Sequence, residues 1–410
     1  MQDLDLLIKK YASLALQVGI GLKEKEGLII TTNEYGVPLA REISSQAYAL
    51  GAKHVEVLFH DDILTLGRYE NAWDYVFKNY PKCKVDALVT MYESNYHHLY
   101  ITAPNPDLLK EIDSELINID QKTASSAMEK AVNYRITSRT KWCILAVPSP
   151  AWAKSVFPDA PLSDAINLLW QKIFEATRVD LKDPIMAWKT HDENLKKHKN
   201  YLNENEFEKL LFHSPGTNLE VYLAQDHYWM GGSKTSDNGE SYVANIPTEE
   251  VFTTPFNTKV NGTLKATKPL CLNGKIIDNF GFVFKDGKVV DFYAGTGRET
   301  LELLLENDEG SSYLGEVALV SNNSPISNTN ILFKNTLFDE NASVHFALGR
   351  SYPYAMKNGT DLKPDELVNK GANYSFNHVD FMVGGPEMSI IAFKKSGERI
   401  EIFKAGNWCI

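Results

Sequence analysis

The chain has 410 residues, 43% of them hydrophobic, which is enough for two buried cores, and two domains are expected. A formal net charge of -11 with no dense Lys/Arg cluster excludes a nucleic-acid partner held through its phosphates, and no apolar run is long enough for a membrane span. Cys83, Cys143, Cys271 and Cys409 form no CxxC pair, which excludes a thiolate zinc site and a disulfide framework. With an N-terminus, Met-Gln-Asp-Leu-Asp, that lacks a basic start and apolar run, they point to a cytoplasmic protein.

Apolar residues at helical spacing predict a helix over Leu4 to Val18, ended by Gly19 and Gly21. A strand at Gly27 to Thr32 and a helix from Pro38 to Leu50 come next. They are followed by a strand at His54 to Phe59, a helix from Asp61 to Tyr80 and a third strand at Val85 to Thr90. A helix around Pro106 to Leu116, the segment Ala124 to Ile136, a strand from Trp142 and helices over Leu162 to Ala176 and Pro184 to Leu202 complete this half. Alternating strands and helices imply a mostly parallel sheet. Thr31-Thr-Asn-Glu-Tyr-Gly follows the first strand where a dinucleotide fold would carry G-x-G-x-x-G, so dinucleotide binding is not expected. His97-His98 has no acidic neighbour in sequence and reads as surface.

Beyond Asn203 the texture changes to short strand-like runs separated by turns such as Asn273-Gly and Asp286-Gly. We therefore expect an α/β domain over residues 1–203 and a β-rich α+β domain over 204–410. All the chemistry singled out below lies in the second.

Tyr313-Leu-Gly-Glu316-Val-Ala sets a carboxylate among apolar neighbours, and on a strand Glu316 would share its face with Leu314 and Ala318. An inward carboxylate is costly unless paired or bound to metal. Glu249-Glu250 sits in the extended context Asn-Ile-Pro-Thr before Val-Phe-Thr-Thr-Pro. In some two-metal sites one of two consecutive glutamates binds metal and the other takes a proton from water, so Glu250 is assigned as ligand and Glu249 as base. Glu340 precedes His345 by five residues in a segment with apolar Phe338, Val344 and Phe346, and Asn341 suggests a turn aiming Glu340 inward. His378 and Asp380, two apart on a strand, project from one face and can serve one ion. Tyr352, before Pro353, could donate a hydrogen bond to a developing oxyanion.

Five pieces in this order carry a resemblance: Asn245-Ile-Pro-Thr-Glu-Glu-Val-Phe, Gly315-Glu316, Leu337-Phe-Asp-Glu-Asn with His345 and Ala347-Leu-Gly, Tyr352-Pro, and His378-Val-Asp-Phe-Met. The chain resembles the thermophilic-type metalloaminopeptidases, the family of aminopeptidase T, aminopeptidase S and PepS, over essentially its whole length. The resemblance implies Glu250, Glu316, Glu340, His345, His378 and Asp380 as ligands of two divalent ions, zinc first, with cobalt, manganese or magnesium as alternatives. It implies Tyr352 as a catalytic residue, a homodimer, and removal of N-terminal residues from peptides with a free N-terminus. Carboxylate and imidazole ligands would also suit another dimetal hydrolase, an amidohydrolase or phosphoesterase.

Overall fold

The computed structural model describes residues 4–272 and 274–410, so the turn expected at Asn273 lies outside the described residues. Two compact units emerge. The first comprises residues up to Lys189 with Ser233–Ile246, and the second Thr190–Gly232 with Pro247–Ile410.

In the first unit, β1 (Gly27–Thr32), β2 (His54–Phe59), β3 (Tyr96–Thr102) and β4 (Trp142–Ala146) form a parallel sheet ordered β2-β1-β3-β4. Helices α1 (Leu4–Leu14), α2 (Val37–Ala49), α3 (Asp62–Asn71), α4 (Lys82–Glu93) and α5 (Ser114–Ile136) occupy the intervals, and α6 (Pro150–Val156) and α7 (Leu162–Ala176) follow the last strand. Leu28, Ile29 and Ile30 of β1 are all fully buried, as befits a strand covered on both faces.

Three expectations fail here for identifiable reasons. The run Val85 to Thr90 is helical: buried Val85, Leu88, Val89 and Tyr92 recur three and four apart, which is the helix period. The third strand lies beyond it and carries His97 and His98, which are 3% and 2% exposed, not surface residues. Adjacent strand residues point to opposite faces, so both are buried because both faces are covered. His97 does have an acidic partner, Glu26 at 2.9 Å, but it is remote in sequence. The helix expected from Pro106 starts only at Ser114, where the Asp113 carboxylate accepts the Glu115 N–H at 2.9 Å.

Helix α8 (Pro184–Asn205) carries the chain into the second unit. After β5 (Lys209–Ser214), β6 (Thr217–Leu223) and β7 (Met230–Gly231), the hairpin β8 (Lys234–Thr235) and β9 (Ser241–Tyr242) belongs to the first unit. The second unit resumes with β10 (Val251–Thr253), β11 (Pro255–Lys265), β12 (Leu270–Leu272), β13 (Lys275–Lys285) and β14 (Lys288–Thr296). Then come helix α9 (Arg298–Glu306), β15 (Leu314–Leu319), β16 (His345–Gly349) and β17 (His378–Met382). Strands β18 (Ser389–Phe393), β19 (Arg399–Lys404) and β20 (Asn407–Trp408) close the chain. The expected Asp286-Gly turn joins β13 to β14, with φ of 49° and 84° at its two residues.

These strands make a nine-stranded sheet and a five-stranded antiparallel sheet ordered β17-β16-β15-β10-β7. One face of the smaller sheet is apolar: Val251, Val317, Leu319, Phe346, Leu348 and Phe381 join a core with Phe212, Phe280 and Phe282 of the larger sheet. Phe212 meets Phe346 with ring centroids 5.0 Å apart, and Phe282 meets Phe381 at 5.2 Å. The opposite face carries the polar residues.

A bulge decides which face Glu316 uses. Leu314 pairs with Leu348, but Glu316 pairs with Ala347, so the register slips at Gly315. Leu314 therefore joins the apolar core instead of sharing a face with Glu316 as expected, and of the two expected neighbours on its strand Glu316 shares its face only with Ala318. A β-carbon on Gly315 would lie 2.2 Å from the Gly349 carbonyl oxygen and 2.5 Å from that of Arg350. Gly315→Ala should therefore cost about 3 kcal/mol or more and weaken cation binding as the bulge shifts, read by denaturant midpoint and metal titration. A variant of wild-type stability and affinity would show that the bulge is not what turns Glu316.

Candidate metal centre

The strand register assembles the site. Glu316, Ala347 and Asp380 lie side by side across β15, β16 and β17, with Ala318, His345 and Met382 in the next row. Residues directly opposite share a face, so Glu316, His345, His378 and Asp380 all project from the same side. Phe252 of β10 pairs with Ala318, and Glu250, two residues before it, reaches the same side.

Two groups of potential ligand atoms result, each with all atoms within 4.8 Å of one another: Glu250, Glu316 and His345, and Glu316, His378 and Asp380. Glu316 belongs to both. His345 Nε2 is 3.2 Å from Glu250 and 3.7 Å from Glu316, and His378 Nε2 is 3.4 Å from Asp380 and 3.9 Å from Glu316. Each imidazole is oriented through its other nitrogen: His345 Nδ1 donates to the Ser343 carbonyl at 3.2 Å, and His378 Nδ1 to that of Arg350 at 2.7 Å. Both Nε2 atoms are thereby aimed at the carboxylates, the arrangement metal-binding histidines use.

Glu340 follows a helical turn, Thr336–Asp339, that carries it toward the cluster. It stands outside both groups, but burial and the charges of Asp380 and Glu250 hold its carboxyl well above the usual range. Tyr352 is stacked on Tyr354 at 5.1 Å, and its ring centroid lies 4.5 Å from that of His378. Burial, then Glu316 and Asp380, push its phenol upward, so it keeps its proton. Glu249 is buried, but its carboxylate is in neither group and lies 3.5 Å from His191 Nε2.

Sequence reasoning missed His191 on α8, which approaches Glu249, and the Arg350 carbonyl, which orients His378. It picked out Asn341 only as a turn residue aiming Glu340; that Asn341 Oδ1 also accepts the Glu249 N–H at 2.7 Å had no local signal, because these three contacts each span at least 28 residues.

The donor set suits divalent cations. His345 Nε2 is buried and makes no hydrogen bond although carboxylates flank it. Burial pushes the Glu316 carboxyl up to about 7, with Glu250 and Asp380 adding to the shift and His345 opposing it. Burial disfavours charging His378, but Asp380 and Glu316 outweigh it and raise the ring to about 10. Protons thus do in part what a dication would do fully.

A second cluster, Glu26, His97 and Glu240, lies in the first unit. There the Lys141 ammonium already supplies the cation, 2.8 Å and 3.0 Å from the two Glu26 oxygens, 3.2 Å from the Gly21 carbonyl oxygen and in contact with Glu240. Burial opposes the charge on Glu26, but His97 and Lys141 lower its carboxyl to about 2.

The sequence pattern of the thermophilic metalloprotease (M29) family matches residues 5–408. The chain belongs to the M29 thermophilic metalloprotease family. It is 44% identical to aminopeptidase 2 of Geobacillus stearothermophilus over 404 residues, covering 98% of this chain and 97% of that protein. It is 40% identical to aminopeptidase AmpS of Bacillus subtilis, with full coverage of both. The structure of wild-type AmpT from Thermus thermophilus superposes with a TM-score of 0.93 at 33% identity, again covering both chains fully. The expected architecture, a parallel sheet with helices and then a β-rich half, is thus that of an M29 protein, and membership of a metalloprotease family implies a divalent metal. No helix among the described residues is long and apolar enough to cross a membrane.

The shifts set a pH dependence for the metal-stripped protein. Glu316 keeps its proton in the folded chain from its unfolded value, about 4.3, up to about 7, so stability falls as pH rises through that window. The contribution of His378 is complete below about 6.5 and is lost as pH climbs to about 10. Asp380, whose pKa is lowered, contributes above its unfolded value and loses that contribution only in acid. The Tm of chelated protein should therefore fall from pH 5 to 9, and the Tm gain on adding a divalent cation should grow over that range. A gain independent of pH would contradict this account.

Proposed function

We propose that this chain is an aminopeptidase that removes N-terminal residues from peptides at a centre of two divalent ions. In this reading Glu250, Glu316 and His345 hold one ion and Glu316, His378 and Asp380 the other, with Glu340 completing the set. The observation that carries it is the pair of side-chain groups sharing the buried Glu316 on one side of the sheet. Relatives named aminopeptidase over nearly the whole chain supply the reaction class. Zinc comes first among the candidate ions because imidazole and carboxylate ligands suit it, and cobalt, manganese or magnesium are the alternatives.

Divalent cations held here supply Lewis acidity toward the scissile carbonyl and make water a nucleophile near neutral pH. The protein's own groups do the rest. Glu249, buried beside Glu250 and in neither ligand group, is the base that takes a proton from the attacking water and returns it to the departing amine. His191 Nε2, which donates to the Thr248 carbonyl at 2.8 Å, lies 3.5 Å from the Glu249 carboxylate and presents its N–H to that side of it. The Tyr352 hydroxyl, kept protonated first by its burial, donates to the oxyanion of the tetrahedral intermediate, a contribution of about 3 kcal/mol. We also propose a cytoplasmic homodimer, in keeping with four free cysteines.

Chelation should abolish hydrolysis of aminoacyl anilides, and added divalent ion should restore it; full activity in stripped protein would end the metal reading. Tyr352→Phe should lower kcat about 100-fold with metal content unchanged. Glu249→Gln should do the same, and wild-type turnover in that variant would move the base role elsewhere. Cleavage of phosphoesters in preference to aminoacyl anilides would favour another dimetal hydrolase.

A further inference from the structure

Residues 248–250 lie outside any strand, so no ladder of backbone hydrogen bonds fixes the strap that carries Glu250. Glu340 reaches the cluster from a short turn 90 residues later. Two separate, irregular segments must nevertheless present carboxylates to one site.

One side chain joins them. Asn341 is fully buried; its Oδ1 accepts the Glu249 N–H at 2.7 Å, and its Nδ2 donates to Glu340 Oε1 at 3.3 Å and to the Leu337 carbonyl at 3.2 Å. Its own carbonyl accepts from Ser324 Oγ at 3.2 Å. An amide alone among side chains of this size offers an acceptor and two donors at once. Here the acceptor serves the strap, and the donors serve the turn and its carboxylate. Aspartate could accept from the strap but could not donate to Glu340, and leucine could do neither.

We propose that Asn341 is a positioning residue that sets the Glu250 strap and the Glu340 carboxylate in register, and that cation affinity depends on it. The inference rests on the metal reading of this face given above.

The test is calorimetric titration of stripped protein with zinc, compared with its thermal unfolding. Asn341→Asp and Asn341→Leu should weaken zinc binding by about 10- to 100-fold, the usual cost of losing an outer partner of a ligand. An added carboxylate would by itself draw a cation closer. Weaker binding in Asn341→Asp therefore has to come from a displaced Glu340. Ser324→Ala, which loosens the Asn341 backbone without touching Glu340, should leave zinc affinity unchanged. Affinity equal to or above wild type in a folded Asn341→Asp protein would overturn the proposal, as would an equal loss in Ser324→Ala. Failure of the wild type itself to bind zinc would instead overturn the metal reading.

Discussion

The structure turns on one buried carboxylate. Glu316 is 5% exposed at the middle of a sheet whose other face is a phenylalanine-rich core, so its charge must be compensated by groups the sheet itself presents. The bulge at Gly315 makes the arrangement possible by sending Leu314 into the core and Glu316 the other way. Ala347, between Glu316 and Asp380 in the same row, and Ala318 beside His345 keep that face shallow. Larger residues there would fill the space between the acidic groups.

Two buried clusters show what compensation does. Glu26 in the first unit has a lysine ammonium inside its hydrogen-bonding shell, and its carboxyl is lowered to about 2. Glu316 has imidazoles and further carboxylates, and its carboxyl is raised to about 7. The first cluster is electrostatically self-sufficient and has the character of a core network. The second holds protons where a stronger cation would serve better, and that difference separates a candidate metal centre from a buried ion pair with similar residue types.

Much of this was legible in the sequence wherever the signal was local. The alternating strands and helices, the later strand-rich texture and the His378–Asp380 spacing all follow from periodicity, and apart from the Val85–Thr90 run and the segment from Pro106 the first half's elements begin close to where their residues predict. The errors came where tertiary context overrode a short pattern. Val85 to Thr90 is apolar enough for a strand, but its burial follows the helix period that the neighbouring Tyr92 completes. His97 was misjudged because its partner Glu26 belongs to a different element, and Leu314 because a bulge has no sequence signature beyond a glycine. His191 was invisible, and of Asn341 only the turn beside Glu340 was legible, for the same reason: a contact with a segment far away in sequence leaves no trace in the residue's own neighbourhood.

Burial fixes the state of the hydrogen-bond donor that the proposed mechanism uses. It raises the Tyr352 phenol well above its ordinary value, with Glu316, Asp380, Glu340 and Glu250 adding to the shift in the metal-free site. Its ring is held on one side by Tyr354 and lies near His378 on another, with Phe252 edge-on at 6.5 Å, so the hydroxyl depends on packing rather than on a mobile loop for its aim. A donor fixed in advance gains its value in the transition state, because no reorganisation is needed as charge develops. Packing and burial thus give the proposed mechanism a protonated donor whose position is set before charge develops.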